Sequence, residues 1–419
     1  MRQTEADLER MPELAASPAT FDVAVMGGGS AGLAAAISSA RSGAGTLLIE
    51  QQSRLGGMGT NAQVHTFCGL FHPDVSREPK WLNDGLPREI GEALLRQSAR
   101  SKPDLAGRVY ILRHDPARFA SIASELCEQE SNLTLSLRTR SEHVTHTDAG
   151  WKLNAVGERT TTPVVARALI DTTGDAVVAR TLGDAFYLTT PPERLYRPGY
   201  IATWTHIVRP LNDADKLHLA SLIVRAVRDS VLPPAAMGAS FRNGSSGRDI
   251  HVSIDLEAGA EKWNPLDPVS VSAVQAEGKK IMTALWSHVR QNHPAFSSET
   301  GLLLPDQLGV RESIRWRGDH ILTAAELIAC TRFDDEVALA GWPLEKRESA
   351  RGPKFEYFAK AEPAGIPSRC LKNSDLPGLF FAGRCLSCDH EALASLRVMG
   401  TCLATGQAAG RMAAAYALR

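Results

Sequence analysis

From Phe21 to Gly32 the sequence reads Phe-Asp-Val-Ala-Val-Met-Gly-Gly-Gly-Ser-Ala-Gly. The first six residues are an apolar run of strand length, and the glycines follow at once. Leu33 to Ser42 is rich in alanine and reads as a helix that Gly43 and Gly45 end. Thr46-Leu-Leu-Ile-Glu50 reads as a second buried strand. Gly27, Gly29 and Gly32 therefore meet the G-x-G-x-x-G spacing inside a strand–turn–helix–strand unit, with an acid closing the second strand. Gly27 permits the tight turn, Gly29 lets the backbone approach a pyrophosphate, and Gly32 lets the helix pack on the strand. Helix-start amides and the positive end of the macrodipole face the phosphates. Glu50 can accept hydrogen bonds from a ribose diol and would repel an added phosphate. The competing reading is a glycine-rich turn without a ligand; the flanking strand, helix and acid argue against it.

Working outward, Arg54-Leu-Gly-Gly-Met-Gly-Thr60 brings a second glycine cluster soon after the acid. Residues 86–101 and 116–130 read as helices. Leu133–Leu137, Val144–Thr147, Trp151–Val156 and Pro163–Ala166 read as a small antiparallel meander, and Ala168–Asp171 as a short buried strand. That strand runs into Ile170-Asp-Thr-Thr-Gly-Asp175. Near the other end, Leu376-Pro-Gly-Leu-Phe-Phe-Ala-Gly-Arg384 reads as a strand ending in a Gly-Arg pair, and Thr401–Leu418 as a helix. These motifs, with Gly309–Arg315, His390–Thr401 and Gly406–Gly410, resemble the bacterial FAD-dependent oxidoreductases with a glutathione-reductase-like FAD-binding fold. The resemblance covers about residues 21–180 and 300–419.

The resemblance implies an α/β fold: a Rossmann-like FAD-binding domain in three layers (parallel sheet, antiparallel meander, helices), joined to a mixed α+β substrate domain. The expected division is a polar lead-in at 1–19, a discontinuous FAD domain at 20–180 and 350–419, and a substrate domain at 181–349. It further implies that FAD lies against Gly27, Gly29, Ser30, Ala31 and Gly32, then Glu50, Gln51, Arg54, Gly56, Gly57, Met58 and Thr60. Val144 would meet adenine through its backbone. Thr173, Gly174, Gly383 and Arg384 would follow the chain toward the ring, and Gly400 and Thr401 would open a helix aimed at its edge.

Composition bounds the partners. Among 419 residues, 46 basic and 47 acidic side chains nearly cancel, so no attraction to nucleic acid or an anionic membrane is expected. No apolar stretch suits a signal peptide or a bilayer span. Seven cysteines in a chain this long do not make a disulfide scaffold, and a reducing cytoplasm is the expectation. No second nicotinamide unit is visible, so NAD(P)H would bind transiently, or oxygen would be the second partner.

A flavin carries the redox chemistry, so the protein must supply orientation and proton transfer to a small-molecule substrate. His65 and Cys68 follow the second glycine cluster; each either contacts flavin or substrate, or is simply packed. With His72 they could also be imagined as a metal cluster, which the resemblance does not support. Cys385 and Cys388 form a C-x-x-C, either a redox pair or two packed thiols. Arg311 and Arg397 could bind a substrate carboxylate, or join the domains through buried ion pairs with Glu312 and Arg315 nearby. His390, followed by Glu391, is an acid–base candidate. Aromatic residues at 196, 200, 204, 263 and 286 either wall a pocket or fill a core. The alternatives to a simple oxidoreductase are a flavin monooxygenase or halogenase, and a non-catalytic electron-transfer subunit.

Overall fold

Strand β1 (Ala19–Met26) sends alternate side chains into two cores. Val23 and Val25 share one with helix α1 (Ser30–Arg41), while Ala24 and Met26 enter the other. Burial on both faces explains an unbroken apolar run where a half-exposed strand would alternate. Strand β2 (Thr46–Ile49) pairs parallel with β1. Helices α2 (Leu86–Leu95) and α3 (Pro116–Glu128) follow; Asp115 caps α3 by accepting from the Ala117 amide, with Pro116 in the first turn. Strand β3 (Leu133–Ser136) extends the sheet in parallel beyond β2. Strands β4 (Arg140–Thr147), β5 (Gly150–Val156) and β6 (Thr160–Asp171) then run antiparallel to one another, and β6 returns to pair parallel with β1. The order is β3-β2-β1-β6-β5-β4.

The computed structural model describes residues 13–14, 18–96, 102–244, 246–258, 263–350 and 352–419. Four sequence expectations change. Leu133–Leu137 belongs to the parallel sheet and not to the meander; as an edge strand it is only half covered, so its pattern alternates. Pro163–Ala166 and Ala168–Asp171 are one strand, β6, interrupted in its apolar pattern by exposed Arg167. The N-terminal lead-in is not wholly separate, because Glu13–Leu14 pairs with Thr160–Thr161. The helix expected over 86–101 ends at Leu95, and residues 97–101 lie outside the described residues.

A second sheet follows. Strands β7 (Gly199–Thr205), β8 (Ser240–Asn243), β9 (Asp249–Asp255) and β10 (Gly301–Leu303) are antiparallel in the order β8-β9-β7-β10. Helices α4 (Asp213–Arg228) and α5 (Pro268–Asn292) pack on it around a core drawn from Leu195 to Leu308. Tyr200, Trp204 and Trp263 are buried in that core, so these three aromatics pack instead of walling a pocket. After Leu308 the packing changes. Leu322, Leu327, Ala338 and Leu344 share a core with Ile366, Leu393, Ala404 and Ala408.

The C-terminal segment completes the first sheet. Strand β11 (Leu379–Phe381) pairs parallel with β6, and helices α6 (His390–Leu396) and α7 (Met399–Ala417) follow. Helix α7 crosses α1 in backbone contact: a Cβ on Gly406 would lie 2.0 Å from the Ala31 carbonyl oxygen, and one on Gly410 2.3 Å from that of Ala35. Among the described residues no helix is long and apolar enough to cross a membrane.

Candidate active site

The turn between β1 and α1 is held by its glycines. Gly27 has φ +95°, and a Cβ there would lie 2.8 Å from the Thr172 carbonyl oxygen. Gly32 is packed so closely that a Cβ would meet the Gly27 oxygen at 1.7 Å. Thr172 Oγ1 sits between them, 2.8 Å from Met26 O and 2.9 Å from Gly27 O. Gly29 differs: a Cβ there would meet nothing nearer than Gly57 Cα at 4.0 Å. It is the N-cap of α1 and no side chain caps that helix start. An uncapped start beside open space can hold a diphosphate. The second glycine cluster lies against the first. Gly56 (φ +101°) donates its amide to Gly28 O at 2.9 Å, and a Cβ on Gly57 would lie 2.8 Å from Gly29 Cα. Ser30 and Ala31 open α1, Met58 O accepts from the Val64 amide, and Thr60 Oγ1 donates to Leu55 O at 2.9 Å.

Glu50 is buried at 6% exposure, and its two oxygens accept the amides of Gly28 (2.6 Å) and Gln52 (2.7 Å). Burial raises its pKa against the pull of those amides. Each oxygen retains a lone pair for a hydroxyl. A cleft of about 250 Å³ beside it is lined by Gln51, Gln52, Arg138, Arg140, Val156, Gly157 and Glu158. Val144 falls within the register shift of β4, with its side chain in the core beside Trp151 and Leu153. Arg54 is turned toward the second sheet's loop, pairing with Asp306 and donating to Asn61 Oδ1 at 2.9 Å.

The far C-terminus meets this turn. Gly383 (φ +76°) is so close to α1 that a Cβ would lie 2.7 Å from Ala31 Cβ. Arg384 lies over Gly174, donating to Asp175 Oδ1 (2.9 Å) and Ser313 Oγ (3.1 Å); Ser313 also donates to Asp175 at 2.6 Å. Thr173 is fixed by Asp171, which accepts from its amide (3.0 Å) and hydroxyl (2.7 Å). At the start of α7 the Gly400 amide donates to Cys68 O at 2.9 Å, and Gly69 (φ +76°) lies directly on Gly400. Thr401 is fully buried and its hydroxyl has no partner among the described residues.

Of the reactive candidates, His65 is 2% exposed, and both its ring nitrogens are without a partner among the described residues. It stacks on His251 of β9 at 4.0 Å between centroids, 12° between planes. Burial, then the neighbouring His251, Arg242 and His114, holds it well below the usual imidazole pKa. Burial likewise lowers His251 to about 3 and His114 to about 4. Cys68 is pushed up by burial first and by Glu345 second, against Arg242, Arg397 and Arg347. Its thiolate is therefore disfavoured, which speaks against a nucleophile. His72 Nδ1 accepts from the Asp74 amide at 3.2 Å. No group of His, Cys, Asp and Glu is placed to hold a metal among the described residues. Cys385 and Cys388 are free, buried and pushed up in pKa by desolvation, as packed thiols are.

Arg311 is spent on a network. It donates to Asp255 Oδ1 at 2.7 Å and to Arg197 O, while Arg347 pairs with the other Asp255 oxygen (2.7 Å) and with Glu345 (2.6 Å). Arg397 donates to Glu345 O at 3.1 Å and lies 5.8 Å from the Tyr196 ring centroid. His390 finds Glu312, not Glu391: its Nδ1 donates to the two Glu312 oxygens at 2.9 and 3.0 Å, and its ring stacks on Tyr196 at 4.4 Å. Glu391 pairs with Lys346 instead. Glu312 is fully buried and also holds Arg315 (2.6 Å) and Thr190 (2.7 Å). Burial alone would raise its pKa; the His390 hydrogen bond and the Arg315 charge together keep it below the usual value.

Sequence reasoning missed Arg242, His251, Asp255 and Glu345. For His251 a signal existed, since a histidine between Ile250 and Val252 interrupts a buried run. Arg242 lies on a four-residue strand with no motif around it.

Residues 22–419 match the model of the family described as FAD dependent oxidoreductase. No curated protein matches the chain in sequence. Among solved structures, similar chains include a geranylgeranyl bacteriochlorophyll reductase-like protein from Thermoplasma acidophilum (14% identity, 95% of this chain and 77% of that one, TM-score 0.44). Others are p-nitrophenol 4-monooxygenase from Pseudomonas putida (12%, 92% and 77%, 0.42) and an anhydrotetracycline hydroxylase from Streptomyces rimosus (13%, 94% and 62%, 0.43). With the family match spanning nearly its whole length, the chain belongs to the FAD dependent oxidoreductases, enzymes whose cofactor is FAD.

Proposed function

We propose that this chain moves a hydride or an electron pair between a small organic substrate and FAD, with the cofactor's diphosphate on the turn at Gly27–Gly32. The observation that carries the reading is the contrast within that turn. Gly27 and Gly32 are filled by the protein itself, whereas the space over Gly29 is open and the helix start beside it has no side-chain cap. Glu50 faces the ribose, and Gly56, Gly57, Met58 and Thr60 continue the path. Gly383 and Arg384, brought to α1 by β11, close it from the other side. We divide the molecule into a nucleotide part (18–180 and 311–419) and a substrate part near 195–308, because residues 322–344 share their core with the C-terminal helices.

When bound, FAD supplies the two-electron chemistry. The chain's own residues would do the rest. His390, with Nδ1 fixed on Glu312, keeps Nε2 for a substrate proton, and buried Glu312 stabilises the imidazolium that forms. Tyr196 stacks on His390, and Arg397 lies 5.8 Å from the same ring. NAD(P)H or oxygen serves as the transient second partner. All seven cysteines are free, which accords with a reducing cytoplasm.

A visible spectrum before and after acid precipitation tests the reading. A yellow protein that releases its colour to the supernatant supports it. A colourless preparation that takes up no added FAD ends it. Rapid NADPH consumption with oxygen, yielding a hydroxylated product, would redirect it to a monooxygenase.

A further inference from the structure

Strand register puts three polar side chains in one row across the second sheet. Thr203 on β7 is opposite His251 on β9, and His251 is opposite Arg242 on β8. Directly opposed residues share a face. That face looks at the nucleotide part: Thr203 Oγ1 donates to Gln63 Oε1 at 3.0 Å, and His251 stacks on His65. Arg242 ends the row on the same side.

Arg242 makes no hydrogen bond or ion pair among the described residues. The charged groups that reach it are spoken for: Glu345 pairs with Arg347 at 2.6 Å, and Arg113 with Asp104 at 3.2 Å. Arg397 has only a carbonyl and an aromatic ring. The residue is solvent-accessible, yet desolvation by the surrounding protein lowers its pKa. Both hold where a side chain projects into an open cleft walled by protein. Beside it, His65 is buried with both nitrogens lacking a partner, and the three histidines are held neutral, so they cannot supply a compensating charge.

We propose that Arg242, supported by Arg397, binds the anionic group of the substrate, and that the enzyme acts on small organic carboxylates. A guanidinium presents a planar fork that matches a carboxylate, and the acid whose charge reaches Arg242, Glu345, is already paired with Arg347. The proposal rests on the site reading above and names its substrate class.

Isothermal titration of the purified full chain with benzoate and acetate, against benzamide as the neutral control, tests it. At least one carboxylate should bind, the amide should not, and affinity should fall as salt rises. Arg242→Gln should weaken carboxylate binding roughly tenfold or more, with Arg242→Lys intermediate. An unchanged thermal midpoint in both variants shows that they fold, as expected for an exposed residue. A yellow protein that binds neither carboxylate, or whose Arg242→Gln variant binds as tightly as the parent, overturns the anion site and leaves the flavin reading intact. A colourless protein that still binds benzoate through Arg242 upholds the anion site and removes the flavin.

Discussion

Two glycines two positions apart have different tasks, and substitution separates them. Gly29 has φ −70° with an extended ψ, a conformation any residue adopts, and open space where its Cβ would be. Gly29→Ala should therefore fold with a urea midpoint close to the parent's, while its affinity for FAD falls roughly tenfold or more, because the methyl takes the diphosphate's place. Gly27 has a positive φ and its Cβ would strike the Thr172 backbone. Gly27→Ala should cost about 1–3 kcal/mol of stability in the protein without cofactor. If both variants lost stability equally, the ligand role of the turn would fall. Glu312→Gln reads the other end of the site. It removes the charge that holds His390 while keeping the shape, so kcat should drop and the pH profile of kcat should shift, with KM little changed. A uniform loss of folded protein would instead mark Glu312 as structural.

At the scale of elements, the joint that closes the molecule is the crossing of α1 and α7. It is made of small residues, so backbone meets backbone at Gly406 and Gly410. Gly406→Val must push the helices apart and should destabilise by about 1–3 kcal/mol in urea unfolding, with loss of flavin because Gly383 moves off Ala31. The same substitution at Gly43, where a Cβ would find nothing nearer than 4.0 Å, strains only the local φ. This joint also shows what the sequence made legible. The β1–α1–β2 unit and the strand before Gly383 were readable because each is a short, local pattern whose chemistry lies within the motif. The edge strand β3 was not, because a half-covered parallel strand has the same alternation as a meander strand. Arg311 and Arg397 were legible in the sequence only as arginines that bind an anion or join a buried ion-pair network, and Arg242 carried no signal at all. Which arginine is neutralised depends on Asp255, more than fifty residues from Arg311, and on register in a sheet whose strands carry no signature. His390 was read as an acid–base candidate with Glu391 beside it, but the helix start turns Glu391 toward Lys346 and leaves Glu312 to reach the ring.

At the scale of the whole molecule, the two sheets meet through neutral histidines, and this makes their union sensitive to acid. His65 and His114 come from the nucleotide part and His251 from the second sheet. His114 Nε2 donates to Val64 O at 2.9 Å, so its proton is on that nitrogen and Nδ1 is left without a partner. Burial lowers His114 to about 4 and His251 to about 3, against about 6.5 for an unfolded imidazole. Between those values the unfolded chain binds more protons than the folded one. The contribution to stability is therefore complete above about pH 7 and declines as pH falls through 6.5, by up to about 1.4 kcal/mol per pH unit for each histidine. Glu50 and Asp171, raised by burial, act in the opposite sense, because in the folded state they hold protons that the unfolded chain releases. The difference between variants is thus a cleaner measure than the raw slope. In urea unfolding from pH 7.5 to 5, His114→Gln, whose amide reaches the Nε2 position, should keep a donor for Val64 O and shallow the pH dependence by about one histidine's share. A variant whose slope matches the parent's would mean that His114 is not the neutral, enclosed group that its packing against Phe67 and Phe119 implies.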